Sequence, residues 1–329
     1  MKSFAYVNAA TEKEAVAALG KERGKYLALA GGTDLLALMK DYVATPERLV
    51  NVKNLDKRIA RTPDGGLKIG AAVTIDDLST NADVRSLYPA LVTAAEAVGT
   101  PQIRAAATVG GNLNQRPRCW YFRNEEFVCL KKGGSRCFAT DGENQYHAIF
   151  GGGPCHIVHP SSLAVPAVAL GARFRVVGPA GEREVAAADY YVLPVRNIFG
   201  ETVLQPNELL THVMLSPSGN AKTATYEVRF KQSHDWPLAS ASVVLNMNGT
   251  TVRAARVVLG AVAPIPWRSR AAEAELTGKV ITEQIAMAAA DAAVEAAQPM
   301  TQNGYKVRIV RTAVKRAIIS AAGLKANWV

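Results

Sequence analysis

The sequence predicts an α+β protein that opens with a small α/β unit and closes on an antiparallel sheet backed by Ala-rich helices. Three observations predict it. Residues 4–52 alternate short apolar strands with amphipathic helical turns. Segments 225–231, 241–247 and 252–259 alternate apolar and polar residues, the period of a half-buried strand. The Ala-rich stretches 282–298 and 307–322 carry the composition of helices.

Each element has its own signal. Phe4–Val7 reads as a strand, and Thr11-Glu12-Lys13-Glu14 is a capping box that opens a helix running to about Gly20. Tyr26–Ala30 is an apolar strand ending at Gly31-Gly32-Thr33-Asp34; Leu35–Met39 is a helical turn and Arg48–Val52 a further strand. A second unit starts at Leu67–Ala71, continues in a helix from about Pro89 to Val98, and reaches a second Gly-rich turn, Thr108-Val109-Gly110-Gly111-Asn112. Residues 115–160 show no period, yet hold Trp120, Tyr121 and Phe122, which argues for a functional loop rather than disorder. Arg173–Val177 and Glu208–Leu215 are strands, with a turn at Gly178–Gly181.

With 329 residues, two or three subdomains are expected. Apolar residues at 49% and charged residues at 20% describe a globular chain. The net charge of +10 is spread without a basic block, which describes a solvated surface or an acidic partner subunit and gives nucleic acid no support. The apolar stretch Leu163–Ala172 contains Pro166 and falls short of the roughly 20 residues that span a bilayer. No export signal is expected from Met1-Lys2-Ser3 and the strand that follows.

All four cysteines, Cys119, Cys129, Cys137 and Cys155, lie within residues 119–155. Such clustering points to a shared metal or cluster site. Zinc, an iron–sulfur cluster and unrelated buried thiols all stand on spacing alone, although the short C-x-x-C knuckles usual for zinc are absent. Two disulfides would be odd without export. Nearby His147, His156 and His159 read as surface or supporting residues, and the aromatic trio as a shield from water. The two Gly-rich turns let backbone N–H groups approach an anion, and as a pair suit a pyrophosphate. Neither matches G-x-G-x-x-G or the P-loop. No Ser–His–Asp set or carboxylate couple suggests a hydrolase. Arg229-Phe230-Lys231-Gln232 reads as a charged face on a strand.

As an ordered set the motifs resemble the flavoprotein subunits of the xanthine dehydrogenase and carbon monoxide dehydrogenase family. The set is Phe4-Ala5-Tyr6 with Glu14-Ala15, Leu29–Leu35, Ile69–Thr74, Ile103-Arg104 with Ala107–Asn112, Leu259–Pro264 and Gly304-Tyr305-Lys306. The resemblance implies a two-part vanillyl-alcohol-oxidase (PCMH)-type FAD-binding domain over 1–220, in subdomains 1–55 and 56–220. An iron–sulfur insertion would occupy 115–158, and a CO-dehydrogenase-flavoprotein-like C-terminal α/β domain 221–329. Cys119-Trp120-Tyr121-Phe122 and Tyr146–Phe150 look like the branch of bacterial aldehyde oxidoreductases. The FAD subunit of that branch carries a 4Fe-4S cluster in such an insertion; the 4-hydroxybenzoyl-CoA reductase branch is the alternative.

Carried over, Ala28, Leu29, Ala30, Gly31, Gly32, Thr33, Asp34 and Leu35 match the first FAD loop, and Thr108, Gly111 and Asn112 the second. Lys231 matches a lysine near the flavin ring, and Leu210 a leucine near it. Ser162 stands where the family often has Asp, and Ala105 where it has Asn. The four cysteines would hold the cluster. The implied protein passes electrons from a partner's 2Fe-2S clusters through FAD to an acceptor. A molybdenum-cofactor large subunit would oxidise an aldehyde, aromatic in the first instance, and a 2Fe-2S small subunit would complete a heterotrimer. Assembly is expected in the cytoplasm, with the periplasm reached only by co-export with a partner bearing a twin-arginine signal. A zinc-stabilised binding module and a disulfide-stapled secreted protein are the alternatives of other classes.

Overall fold

The computed structural model describes residues 1–232 and 234–325. Three sheets organise the chain. The first is parallel, with Arg48–Asn51 between Ala5–Asn8 and Tyr26–Leu29, so that Val7 and Ala28 both pair with Val50. Parallel neighbours need crossovers, and the helix Glu12–Ala18 supplies one. Its start is the expected capping box: Glu14 N–H donates to Thr11 Oγ1 at 3.1 Å, and Ala10 N–H to Glu14 Oε2 at 2.9 Å.

The second sheet is antiparallel, in the order Ile59–Arg61, Leu67–Gly70, Leu209–Leu215, Arg173–Gly178, Gly181–Ala186. Between its second and third strands in sequence, the chain runs through short helices. Three of these, Ile75–Thr80, Ala82–Leu87 and Pro101–Ala106, were not expected from periodicity, because each is under two full turns. Their caps give them away: Thr74, Asn81 and Thr100 each accept a backbone N–H three residues on. The second glycine turn is itself a short helix, Val109–Leu113, capped by Thr108. The core here gathers Leu67, Ile69, Phe174, Val176, Leu210 and Val213.

The third sheet pairs Ala221–Val228, Ala239–Asn248, Thr251–Gly260 and Trp267–Arg268, all antiparallel. Helices Arg270–Leu276, Glu283–Val294 and Tyr305–Ala322 cover it. Alanines at 286, 289, 290 and 293 are buried, so small side chains let these helices approach closely. The first strand stops at Val228, where Leu238 N–H closes the ladder on its carbonyl at 2.8 Å. Arg229–Gln232 therefore lies in a loop, not on a strand as alternation suggested; Arg229 turns away to Ala97 O at 3.0 Å.

The irregular segment 115–160 is ordered and links these layers. It contains the helix Trp120–Arg123 and a 3₁₀ turn, Leu130–Lys132. Its far end enters the third core: Ile149 N–H donates to Val262 O at 2.9 Å, and Phe150 stacks on Trp267 at 5.5 Å.

Candidate functional site

The two Gly-rich turns meet. An added Cβ on Gly31 would stand 2.0 Å from Ala106 O, just before the Thr108 cap, so only glycine permits this approach. Gly32 adopts φ of 75°, the left-handed region, as the chain swings from strand into the helix Leu35–Lys40. Thr108 Oγ1 takes the Gly111 N–H at 3.1 Å. Ala28, Ala30–Leu35, Thr108, Gly110, Gly111 and Leu210 line one cavity of about 360 Å³. Leu29 and Asn112 stand beside it; the buried Asn112 Oδ1 accepts from Ser161 Oγ at 2.6 Å.

Asp34 starts that helix without capping it by side chain. Its carboxylate instead accepts from Arg116 N–H at 2.8 Å, Arg123 Nη2 at 2.5 Å and Arg118 Nη1 at 2.9 Å. All three arginines come from the irregular segment, which is thus tied to the first glycine turn. Sequence reasoning named Asp34 but not these partners, since nothing local marks a pairing across 89 residues.

A second cavity, of about 440 Å³, is lined by Ser162, His159, Trp120, Tyr146, Phe230 and Trp236, with Cys119, His147 and Lys306 also on its wall. Arg118 links it to the first: it pairs with Asp34 and lies over the Trp236 ring at 4.5 Å. Burial pushes Arg118 down to about 10. Ser162 is buried on this wall, while Lys231 lies on neither cavity; its own N–H donates to Asp235 Oδ2 at 3.2 Å. The buried cation here is Lys306, whose Nζ donates to Tyr146 O at 3.1 Å, His147 O at 3.2 Å and Ala261 O at 2.6 Å. Burial pushes its ammonium down to about 7, against the three carbonyls that favour the charge. A lysine in a helix's first turn gives no sequence signal of such a role.

The four cysteines are free thiols and border one void of about 10 Å³, with Phe122, Phe138 and Ile157 around them. Among the described residues, no three His, Cys, Asp or Glu donors gather as a site for a single ion. The Cys137 thiol is pulled below its ordinary value because Cys155 donates to it, and Cys155 is raised for the same reason. Burial raises Cys119 to about 11. Tyr121, Phe127 and Phe138 pack edge and face around this corner, at 5.1 to 6.0 Å. Lys131, also buried there, pairs with Glu201 at 2.7 Å. His147 and Cys119 line both the void and the second cavity, with His147 Nε2 at 3.3 Å from Cys119 Sγ.

Residues 2–217 match the family model described as the FAD binding domain in molybdopterin dehydrogenase. The chain belongs to this flavoprotein family. Residues 224–321 match the CO dehydrogenase flavoprotein C-terminal domain. The chain is 35% identical to the aldehyde oxidoreductase FAD-binding subunit PaoB of Escherichia coli, over 98% of this chain and 99% of that one. It is 28% identical to the carbon monoxide dehydrogenase medium chain of Hydrogenophaga pseudoflava, over 94% of this chain and 93% of that one. A solved carbon monoxide dehydrogenase from that organism superposes with a TM-score of 0.77 at 28% identity, covering 99% of each chain. As a member of the family, the chain is an FAD-binding subunit of a molybdenum hydroxylase-type oxidoreductase. Among the described residues, no helix is long and apolar enough to cross a membrane.

Proposed function

We propose that this chain is the FAD- and 4Fe-4S-bearing electron-transfer subunit of a molybdenum-dependent aldehyde oxidoreductase. The observation that carries the reading is the common wall: four free thiols border a void that shares Cys119 and His147 with the second cavity. The two glycine turns would take the FAD pyrophosphate on the backbone N–H groups of residues 28–35 and 108–112. Leu210 would cover the nucleotide on the first cavity's wall, and Ser162 the ring system on the second's. Lys231 would have to swing in from outside, so Lys306 is the cation already buried at that wall. When bound, FAD would supply the exchange between one-electron and two-electron transfer. The chain's own part is to seat it, keep water from it and set the charge around it.

The thiols suit a 4Fe-4S cluster in kind and number: four sulfur donors with no carboxylate among the void's lining. The void has room for little more than a water, so seating a cluster requires these side chains to part, which loop-borne unlinked thiols permit. The relatives support a molybdenum-bearing large subunit and a 2Fe-2S small subunit as partners; the aldehyde would be oxidised in the large one, a reaction class suggested by the relative named an aldehyde oxidoreductase subunit. The test is an absorption spectrum of the anaerobically purified complex, with flavin, iron and zinc assays on each separated chain. One FAD and about four irons in this chain are expected. FAD without iron in this chain would refute the cluster, and zinc in place of iron would assign the thiols to a structural metal.

A further inference from the structure

We infer that His147 is a positioning residue that donates a hydrogen bond from Nε2 to the Cys119 sulfur and thereby holds the cluster at a higher reduction potential. This rests on the cluster reading above. The geometry behind it is specific. The residue is 3% exposed, and its Nε2 stands 3.3 Å from Cys119 Sγ. The other nitrogen, Nδ1, is buried with no hydrogen-bond partner among the described residues. A ring with one proton places it where an acceptor waits, so Nε2 carries the hydrogen and Nδ1 keeps the lone pair. A thiolate acceptor strengthens such a bond.

The ring is also held in place. Trp120 meets it edge to face at 5.7 Å. Its carbonyl accepts from Asn303 Nδ2 at 3.1 Å and Lys306 Nζ at 3.2 Å, both from the C-terminal region, and its N–H donates to Asn144 O at 2.9 Å. The backbone is therefore pinned by three hydrogen bonds, which fixes where the ring is anchored beside Cys119. Hydrogen bonds to cluster sulfurs lower the negative charge felt by the irons and favour the reduced state. His147 and Cys119 also share the wall of the second cavity, so the hydrogen-bonded pair lies at the border between the two spaces.

The experiment compares the wild-type complex with His147→Phe, which keeps a flat ring without a donor, and His147→Gln, which keeps an N–H. Iron content is measured first, then the cluster's midpoint potential by EPR-monitored redox titration at one pH. His147→Phe should retain iron and become harder to reduce, by roughly tenfold in the reduced-to-oxidised ratio at fixed poise, about 59 mV for one electron. His147→Gln should stay close to wild type. An iron-replete His147→Phe complex with unchanged potential overturns the inference while leaving the cluster in place. Should His147→Phe lose its iron, His147→Gln decides: a cluster at wild-type potential upholds the donor role, and loss in both variants overturns it. A wild-type chain without iron instead fails the underlying cluster reading.

Discussion

Replacing Gly31 by alanine tests the pyrophosphate site at its tightest point. The new Cβ would lie 2.0 Å from Ala106 O, 2.7 Å from Ala106 C and 2.9 Å from Ala107 Cα. Ordinary contact begins at 3.4 Å, so the two turns must separate by about 1.4 Å along that line. Every one of those atoms is backbone, and none can rotate aside. Overpacking that forces backbone shifts costs about 1–3 kcal/mol. If the turns part only when FAD is lost, that cost appears in binding, as about a 5- to 140-fold weaker Kd at about 1.4 kcal/mol per tenfold. If they part in both states, it appears as lower stability instead. The assay is flavin fluorescence titration of FAD-stripped complex, alongside thermal unfolding. Gly304→Ala is the control, because nothing lies within 4 Å of its added Cβ. Wild-type FAD affinity together with wild-type stability in Gly31→Ala would refute the claim that this contact sets the spacing of the turns.

Three further outcomes are expected. Asp34→Asn removes the charge shared by Arg118 and Arg123. It should lower stability by about 1–3 kcal/mol and weaken FAD retention, and unchanged unfolding midpoints would contradict the clamp. Cys129→Ser should leave FAD in place and strip this chain of most of its iron, read by metal analysis; full iron content would exclude Cys129 as a ligand. The third concerns pH. Burial holds the His159 imidazole down at about 4, against about 6.5 when unfolded. The unfolded chain therefore binds the extra proton between those values, and stability falls as pH drops from about 6.5 toward 4. His159→Phe should shallow that slope in acid unfolding curves; parallel curves would show that His159 does not contribute.

Much of the fold is legible locally. Capping boxes and alternation fall within one turn or one strand, so Thr11–Glu14 and the strands 239–248 and 251–260 are written in neighbouring residues. The short capped helices after Thr74, Asn81 and Thr100 carried the same kind of signal, in caps rather than in period. The strand end at Val228 was hidden, because alternation continues past the last ladder bond and only the partner strand's length stops it.

The candidate site divides in the same way. Two Gly-rich turns and a window of cysteines stood out in the sequence, because glycine and cysteine are chosen for backbone freedom and sulfur chemistry that other residues lack. Their joining did not. That Gly31 needs to be glycine because Ala106 O sits against it is decided by how the first parallel sheet packs on the second unit. Likewise, the reach of Lys306 to Tyr146 O crosses 160 residues, and Asp34 meets Arg123 across 89. Such contacts depend on sheet register and on which loops close over one another, and no local pattern encodes either. The sequence by itself determined the longer elements, the glycine turns and the sulfur set; the tertiary structure alone decided that Lys306 is the buried cation on the second cavity's wall, that Lys231 is not, and that one histidine and one of the four thiols share that wall.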